Sequence, residues 1–326
     1  MLVRTCLMIA ALLPALALSL APAHAQTPLQ SWPQRPVKFI LPLGPGSGAD
    51  IGARLAADRL SKRWGQGIVI ENRPGGDSIV AIGAFTSVND DHTLFWGPSA
   101  AFVAHPYQHA KLPYDPADLV PIARFSNTLV SICVPTGMKV NSLADVVAMI
   151  HAEPGKLNWA SVTGLNDFLM RSFVKTENLD VSRVPYRDAV QAANDLAEER
   201  IQLFVAAYAI TRPQIEAGKI KIIGITNTAP AKALPGIPTA RQAGFPVMEF
   251  DGLVGLYGPR SMARELRDRI SADIVAVAAD PEIDAKLAAT GQVANPGTSA
   301  EFAASIETQR LVASAAAKIL GLEAAK

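Results

Sequence analysis

Short runs of β-branched and aromatic residues alternate with longer segments whose apolar positions recur every three or four residues. That alternation predicts sheets with parallel strands joined by crossover helices. Early in the chain the strand candidates are 37–41, 68–70 and 93–96. Between the first two, Ile51, Leu55 and Leu60 fall on one helical face, Arg54, Asp58, Arg59 and Lys62 fall elsewhere, and Gly65 ends a helix over 51–64. A second series follows, with strands at 129–134, 157–160, 182–184, 201–206 and 221–226 and helices at 143–151, 168–177 and 189–199. Pro135, Pro154-Gly155 and Gly164 punctuate it. After one more strand pattern at 252–257, the tail over 262–320 reads as almost wholly helical. Such a tail has no strands of its own to cover and should pack back on the first series. The expected architecture is therefore α/β, with two lobes that each hold a mostly parallel sheet flanked by helices. Residues 26–128 and 248–326 would form a discontinuous first lobe and 129–247 the second, with chain crossings near 125–130 and 245–252 acting as a hinge.

The N-terminus adds a destination. Arg4, an apolar run over 6–22 and the small residues Ala23 and Ala25 have the three parts of a secretory signal peptide, with cleavage expected after Ala25. The apolar run is shorter than the ~20 residues of a spanning helix. Residues 1–25 would then be removed, leaving a chain of about 300 residues outside the cytoplasm. Its one cysteine, Cys133, lies in an apolar strand pattern and cannot form an internal disulfide. Charge contributes by exclusion: 30 basic and 29 acidic residues are interspersed and leave no basic face for nucleic acid.

Chemistry concentrates in the loop after the first strand, where Leu43, Gly44, Gly46, Ser47, Gly48 and Asp50 precede a helix. Such a loop offers main-chain N–H groups and a helix N-terminus to an anion, although Ser47 or Asp50 could equally serve only as a cap. Gly44, Gly46 and Ala49, with Glu71 ending the next strand, also fit a dinucleotide fingerprint. Pro45 inside the turn and the expected export speak against that reading. No Lys follows Gly48 as a phosphate-binding P-loop requires, and Gly97-Pro98-Ser99-Ala100-Ala101 is not a nucleophile elbow. His92, His105, His109 and His151 sit in no catalytic signature. Pro106 disfavours a helix that would pair His105 with His109, so no metal, cofactor or catalysis is expected. In the second series Ser161, Thr163, Gly164 and Asn166 make a polar turn before a helix, and Arg187 with Asp188 precedes another. Each is explicable as capping or solvation. Two polar loops on two lobes, however, are what an interlobe ligand cleft needs.

The motifs Trp32-Pro33, Pro45-Gly46, Ala53-Arg54, Glu71-Asn72-Arg73-Pro74-Gly75, Leu112-Pro113-Tyr114-Asp115-Pro116, Val184-Pro185-Tyr186 and Ile237-Pro238-Thr239 occur in this order along nearly the whole mature chain. In them the chain resembles the substrate-binding proteins of tripartite tricarboxylate transporters, the Bug family of extracytoplasmic receptors. The resemblance implies a type II periplasmic-binding-protein fold, location in the periplasm, a small carboxylate as ligand and delivery to membrane transporter subunits. It also implies ligand contacts from residues 43–50 and 161–166, with Ser99, Ala207 and Tyr208 as wall. A monomer is expected. Ser47 stands where the family usually has glycine, Asp167 where histidine is common, and Arg187-Asp188 where Lys-Gly is frequent. The competing readings are a receptor feeding a sensory partner and an exported α/β enzyme.

Overall fold

The computed structural model describes residues 32–162, 164–186 and 188–325, so the expected signal peptide, Thr163 and Arg187 lie outside the described residues. The chain first lays down β1 (Val37–Leu41), α1 (Gly48–Trp64), β2 (Ile68–Asn72), α2 (Ile79–Thr86), β3 (Thr93–Pro98), α3 (Ala100–Gln108) and β4 (Val120–Thr128). Leu129 alone separates β4 from the second set: β5 (Val130–Pro135), α4 (Leu143–Ala152), β6 (Asn158–Ser161), α5 (Leu165–Thr176), β7 (Ser182–Arg183), α6 (Ala189–Ala197), β8 (Leu203–Ala207), α7 (Tyr208–Glu216) and β9 (Ile220–Ile225). The last part returns with β10 (Gly252–Gly258), α8 (Arg264–Ala278), α9 (Pro281–Ala288), β11 (Gln292–Gly297) and α10 (Ser299–Leu320).

Two sheets result, ordered β11-β4-β10-β3-β1-β2 and β7-β6-β8-β5-β9. They are mixed rather than mostly parallel. β1 runs parallel to β2 and β3, and β6 to β7 and β8. Every antiparallel pairing involves β4, β5 or β10. These are the strands that carry the chain between the sheets, and a strand arriving from the other sheet runs against those fed by crossover helices.

Apolar residues on both faces of the inner strands explain why each sheet is covered twice. On one side of the first sheet Phe39, Leu41 and Trp96 pack with Ala53 and Leu60 of α1 and Ile270 and Ile274 of α8. On the other side a continuous core joins Phe95 and Tyr257 to Phe302 and Ile306 of α10 and runs on to Phe168 and Phe173 of α5. In the second half of α10, Ala313, Ala316 and Ala317 are buried, and the helix packs on α5 as well as on α3 and β4. The tail therefore does not pack on the first sheet alone, and it is not wholly helical. Its strand β11 forms an edge on β4, with a register shift between Ala294 and Gly297 that lets Pro296 sit where no ladder donor is needed. A further difference lies at Pro106, which α3 carries in its interior. Burial of Phe102, Val103 and Ala104 offsets the hydrogen bond that proline removes.

Candidate functional site

Because β1, β2 and β3 are parallel, the loops after them share one edge of the first sheet. The loops after β6, β7 and β8 likewise share one edge of the second. In open α/β sheets that carboxyl edge is where ligands bind. After β1, Gly46 adopts φ 84°, a left-handed conformation natural to glycine. Ser47 caps α1 by accepting from Asp50 N–H at 3.3 Å. Asp50 is buried and its carboxylate is fully engaged. It accepts from Gly46 N–H (2.9 Å), from Asn72 Nδ2 (2.9 Å) and from both Nε and Nη2 of Arg54 (3.0 Å each). Asn72 Nδ2 also donates to the Leu43 carbonyl at 2.8 Å. Burial opposes the charged form of Asp50 and is the largest single influence. The bonds from Arg54, Asn72 and Gly46 together outweigh it and hold the carboxyl below its ordinary 3.8. Asp50 thus organises the loop from behind. The loop's own polarity is what remains available: among the described residues, the N–H groups of Leu43, Gly44, Gly48 and Ala49 find no acceptor. Gly48 is held close, since a Cβ there would come within 2.6 Å of Gln292 Nε2.

Ser99, at the end of β3, is fully buried, and its hydroxyl donates to Gln309 of α10. It supports the wall without presenting a polar group to it. On the second sheet Ser161 is buried and donates to Asp167 Oδ1 at 3.2 Å, and Arg183 Nε meets the same oxygen at 2.5 Å. Gly164 has φ 84° and ψ −144°, a region open to glycine alone. Asn166, half-buried, has an Oδ1 that accepts no hydrogen bond among the described residues. Asp188 is exposed and caps α6 through Val190 N–H at 2.9 Å. Ala207 and Tyr208 are half-buried at the β8–α7 turn, where Tyr208 N–H donates to the Leu129 carbonyl at 2.8 Å. Cys133 is buried in β5, and burial pushes its thiol up to about 11.

The two edges face each other. On one flank Arg212 Nη1 of α7 donates to the Ala289 carbonyl at 2.8 Å, beside a cavity of about 260 Å³ lined by Gly46, Gly48 and Ala209. On the other flank Gln108 Nε2 of α3 donates to the Gly164 carbonyl at 3.3 Å, and Tyr107 stacks on Phe168 with ring centroids 5.8 Å apart. A cavity of about 440 Å³ opens there between Asp77, Gln108, Gly164, Asp167, Arg171 and Arg183. Sequence reasoning missed Asp77. Its signal was Gly75-Gly76 at the end of β2, the same edge as the first loop. Gly75, Gly76, Asp77 and Ser78 all have positive φ, at 127°, 56°, 51° and 77°. Two adjacent non-glycine residues in that region store strain of about 1–2 kcal/mol each. Arg171, Arg183 and Arg212 lacked any local motif.

A family model described as "Tripartite tricarboxylate transporter family receptor" matches residues 52–318. A UPF0065 protein from a tcbD-tcbE intergenic region of Pseudomonas sp. is 27% identical over 274 residues, covering 82% of this chain and 81% of the relative. Protein BugT of Bordetella pertussis is 26% identical over 231 residues, covering 69% and 70%. Among solved structures, an R. palustris protein with adipate is 26% identical and superimposes with a TM-score of 0.79, covering 90% of this chain and 100% of that one.

Proposed function

This chain belongs to the tripartite tricarboxylate transporter family of receptors, and on that premise we propose that it captures a small carboxylate between two lobes and presents it to membrane transporter subunits. The observation that carries this reading is the loop after β1, whose N–H groups at Leu43, Gly44, Gly48 and Ala49 are left without acceptors while Asp50, Arg54 and Asn72 hold its shape. Main-chain donors fixed in advance bind a carboxylate without the entropy cost of ordering a side chain. The relative solved with adipate supports the ligand class. On the same reading residues 26–128 and 248–326 make the first lobe and 129–247 the second, in accord with the membership of the two sheets. Residues 1–25 are the export signal, the mature chain is a periplasmic monomer, and it catalyses nothing. Ligand contacts from both edges favour the closed arrangement and shift the hinge equilibrium towards it.

The test is calorimetry of the mature protein against adipate and a series of mono- and dicarboxylates, paired with small-angle scattering. One saturable site and a smaller radius of gyration with ligand are expected. Silence across the series, or turnover of any bound compound, overturns the reading.

A further inference from the structure

We propose that Gln292, the first residue of β11, is a positioning residue that ties the loop after β1 to the closing of the lobes. This rests on the receptor reading above for what the loop holds, and it adds how the loop is set when the second lobe arrives. Gln292 is almost fully buried. Its Oε1 accepts from the Ser126 hydroxyl at 3.0 Å and its Nε2 donates to the Thr128 hydroxyl at 2.9 Å, so both ends of the amide are held by β4, the strand that leads into the first crossing. The same Nε2 stands where a side chain on residue 48 would go. A Cβ on Gly48 would come within 2.6 Å of it and within 3.2 Å of the Thr290 carbonyl oxygen. Gly48 opens α1, and its N–H finds no acceptor among the described residues. A shift of Gln292 therefore moves the start of α1, because close-packed groups transmit a displacement instead of absorbing it.

The turn that delivers Gln292 is also a place where the second set of elements touches the first sheet. Arg212 Nη1 of α7 donates to the Ala289 carbonyl at 2.8 Å. Gly291, at φ 70°, lies against the β8–α7 turn so closely that a Cβ there would meet Ala209 N at 3.1 Å and Tyr208 Cδ1 at 3.3 Å. Its carbonyl accepts from the N–H of Leu129, the link between β4 and β5, at 2.9 Å. Residues 289–292 thus touch α7, the β8–α7 turn, the first crossing and the start of α1. When the lobes part, the contacts at Ala289 and Gly291 are released, and the donors of the loop lose the backing that sets them. When the lobes close, the same contacts press the loop into its binding shape, so that closure and carboxylate affinity rise together.

The test is a double-mutant cycle on the mature protein, read by calorimetry with adipate as the probe and by hydrogen exchange of residues 44–52 without ligand. Gln292→Met removes both amide bonds at similar volume. Gln292→Glu keeps an acceptor for the two hydroxyls but sets a negative charge beside Gly48, and it serves in place of the Met variant if that one does not fold. Each is measured alone and together with Arg212→Ala. Both Gln292 variants should bind adipate at least about fivefold more weakly than the parent. Exchange in 44–52 should speed up in Gln292→Met and also in Arg212→Ala, and the two together should cost less than the sum of their separate effects. Strict additivity, or exchange in 44–52 untouched by the Gln292 variants, shows that Gln292 only fills its strand and overturns the inference, while adipate binding leaves the receptor reading standing. Coupled exchange with silence across the carboxylate series does the reverse: the receptor reading falls and the tie between Arg212 and the loop stands.

Discussion

At Asp50 two opposed forces meet in one side chain, and their balance sets a pH dependence. The folded carboxyl titrates below its ordinary 3.8, so its contribution to stability is complete above that value and is lost as pH falls through the lower folded value. Asp50→Asn removes the charge that Arg54, Asn72 and Gly46 N–H hold. Arg54 is half-exposed and stays hydrated, which keeps the expected loss at neutral pH to about 2 kcal/mol. Urea unfolding of parent and variant should show that gap at about pH 7, shrinking as the pH is lowered through the acid range. A gap that stays constant over that range would assign the loss to shape instead of charge. Ser47 as a cap could be read from the sequence because capping is local, and Arg54 lies one helical turn from Asp50. The engagement of Asp50 by Asn72 was hidden, because it needs β2 set beside β1. The acid at Asp77 was likewise hidden until the second sheet placed Gly164 against it.

Between the sheets, the elements that matter are the two crossings and the side chains that tie them. Asn227 is buried, accepts from Val130 N–H at 3.1 Å and donates to the Thr128 carbonyl at 3.0 Å, so it splints the single-residue link at Leu129. Asp251, on the returning segment, accepts from Thr228 Oγ1 at 2.7 Å and from Thr228 N–H at 3.2 Å. Asn227→Ala takes the partner from the buried Val130 N–H and from the part-buried Thr128 carbonyl and should cost about 1–3 kcal/mol by urea unfolding. An unchanged midpoint would show that water replaces the amide. The strands and helices near this region were legible where periodicity was long, as in α1 and β5. They were illegible where proline interrupts it: α3 continues through Pro106, β4 contains Pro121 and β11 contains Pro296. In each case buried neighbours or an edge position override a local penalty that sequence alone weighs in full.

Across the whole molecule, contacts on both flanks of the cleft would bias the opening equilibrium that the proposed receptor function requires. Arg212 reaches from α7 to the Ala289 carbonyl, and Gln108 reaches from α3 to Gly164. Arg212→Ala should favour the open form. The expected signs are a larger radius of gyration without ligand and an affinity weaker by about two- to threefold, since the competent population shrinks. Equal scattering profiles for parent and variant would remove Arg212 from that role. The two-sheet plan and the discontinuous first sheet followed from the pattern of strands and helices. The bridging of both sheets by α10 did not, because an amphipathic helix does not announce its partner. One topological fact reaches beyond binding. β10 lies between β3 and β4, so the middle of the first sheet stays vacant until residue 258 has been made. Until then β3 and β4 have no shared neighbour, and the earlier polypeptide cannot seal into a finished layer. On the export proposed above, a secretory pore would pass only loose chain, and a keystone laid this late would keep the molecule threadable for most of that passage.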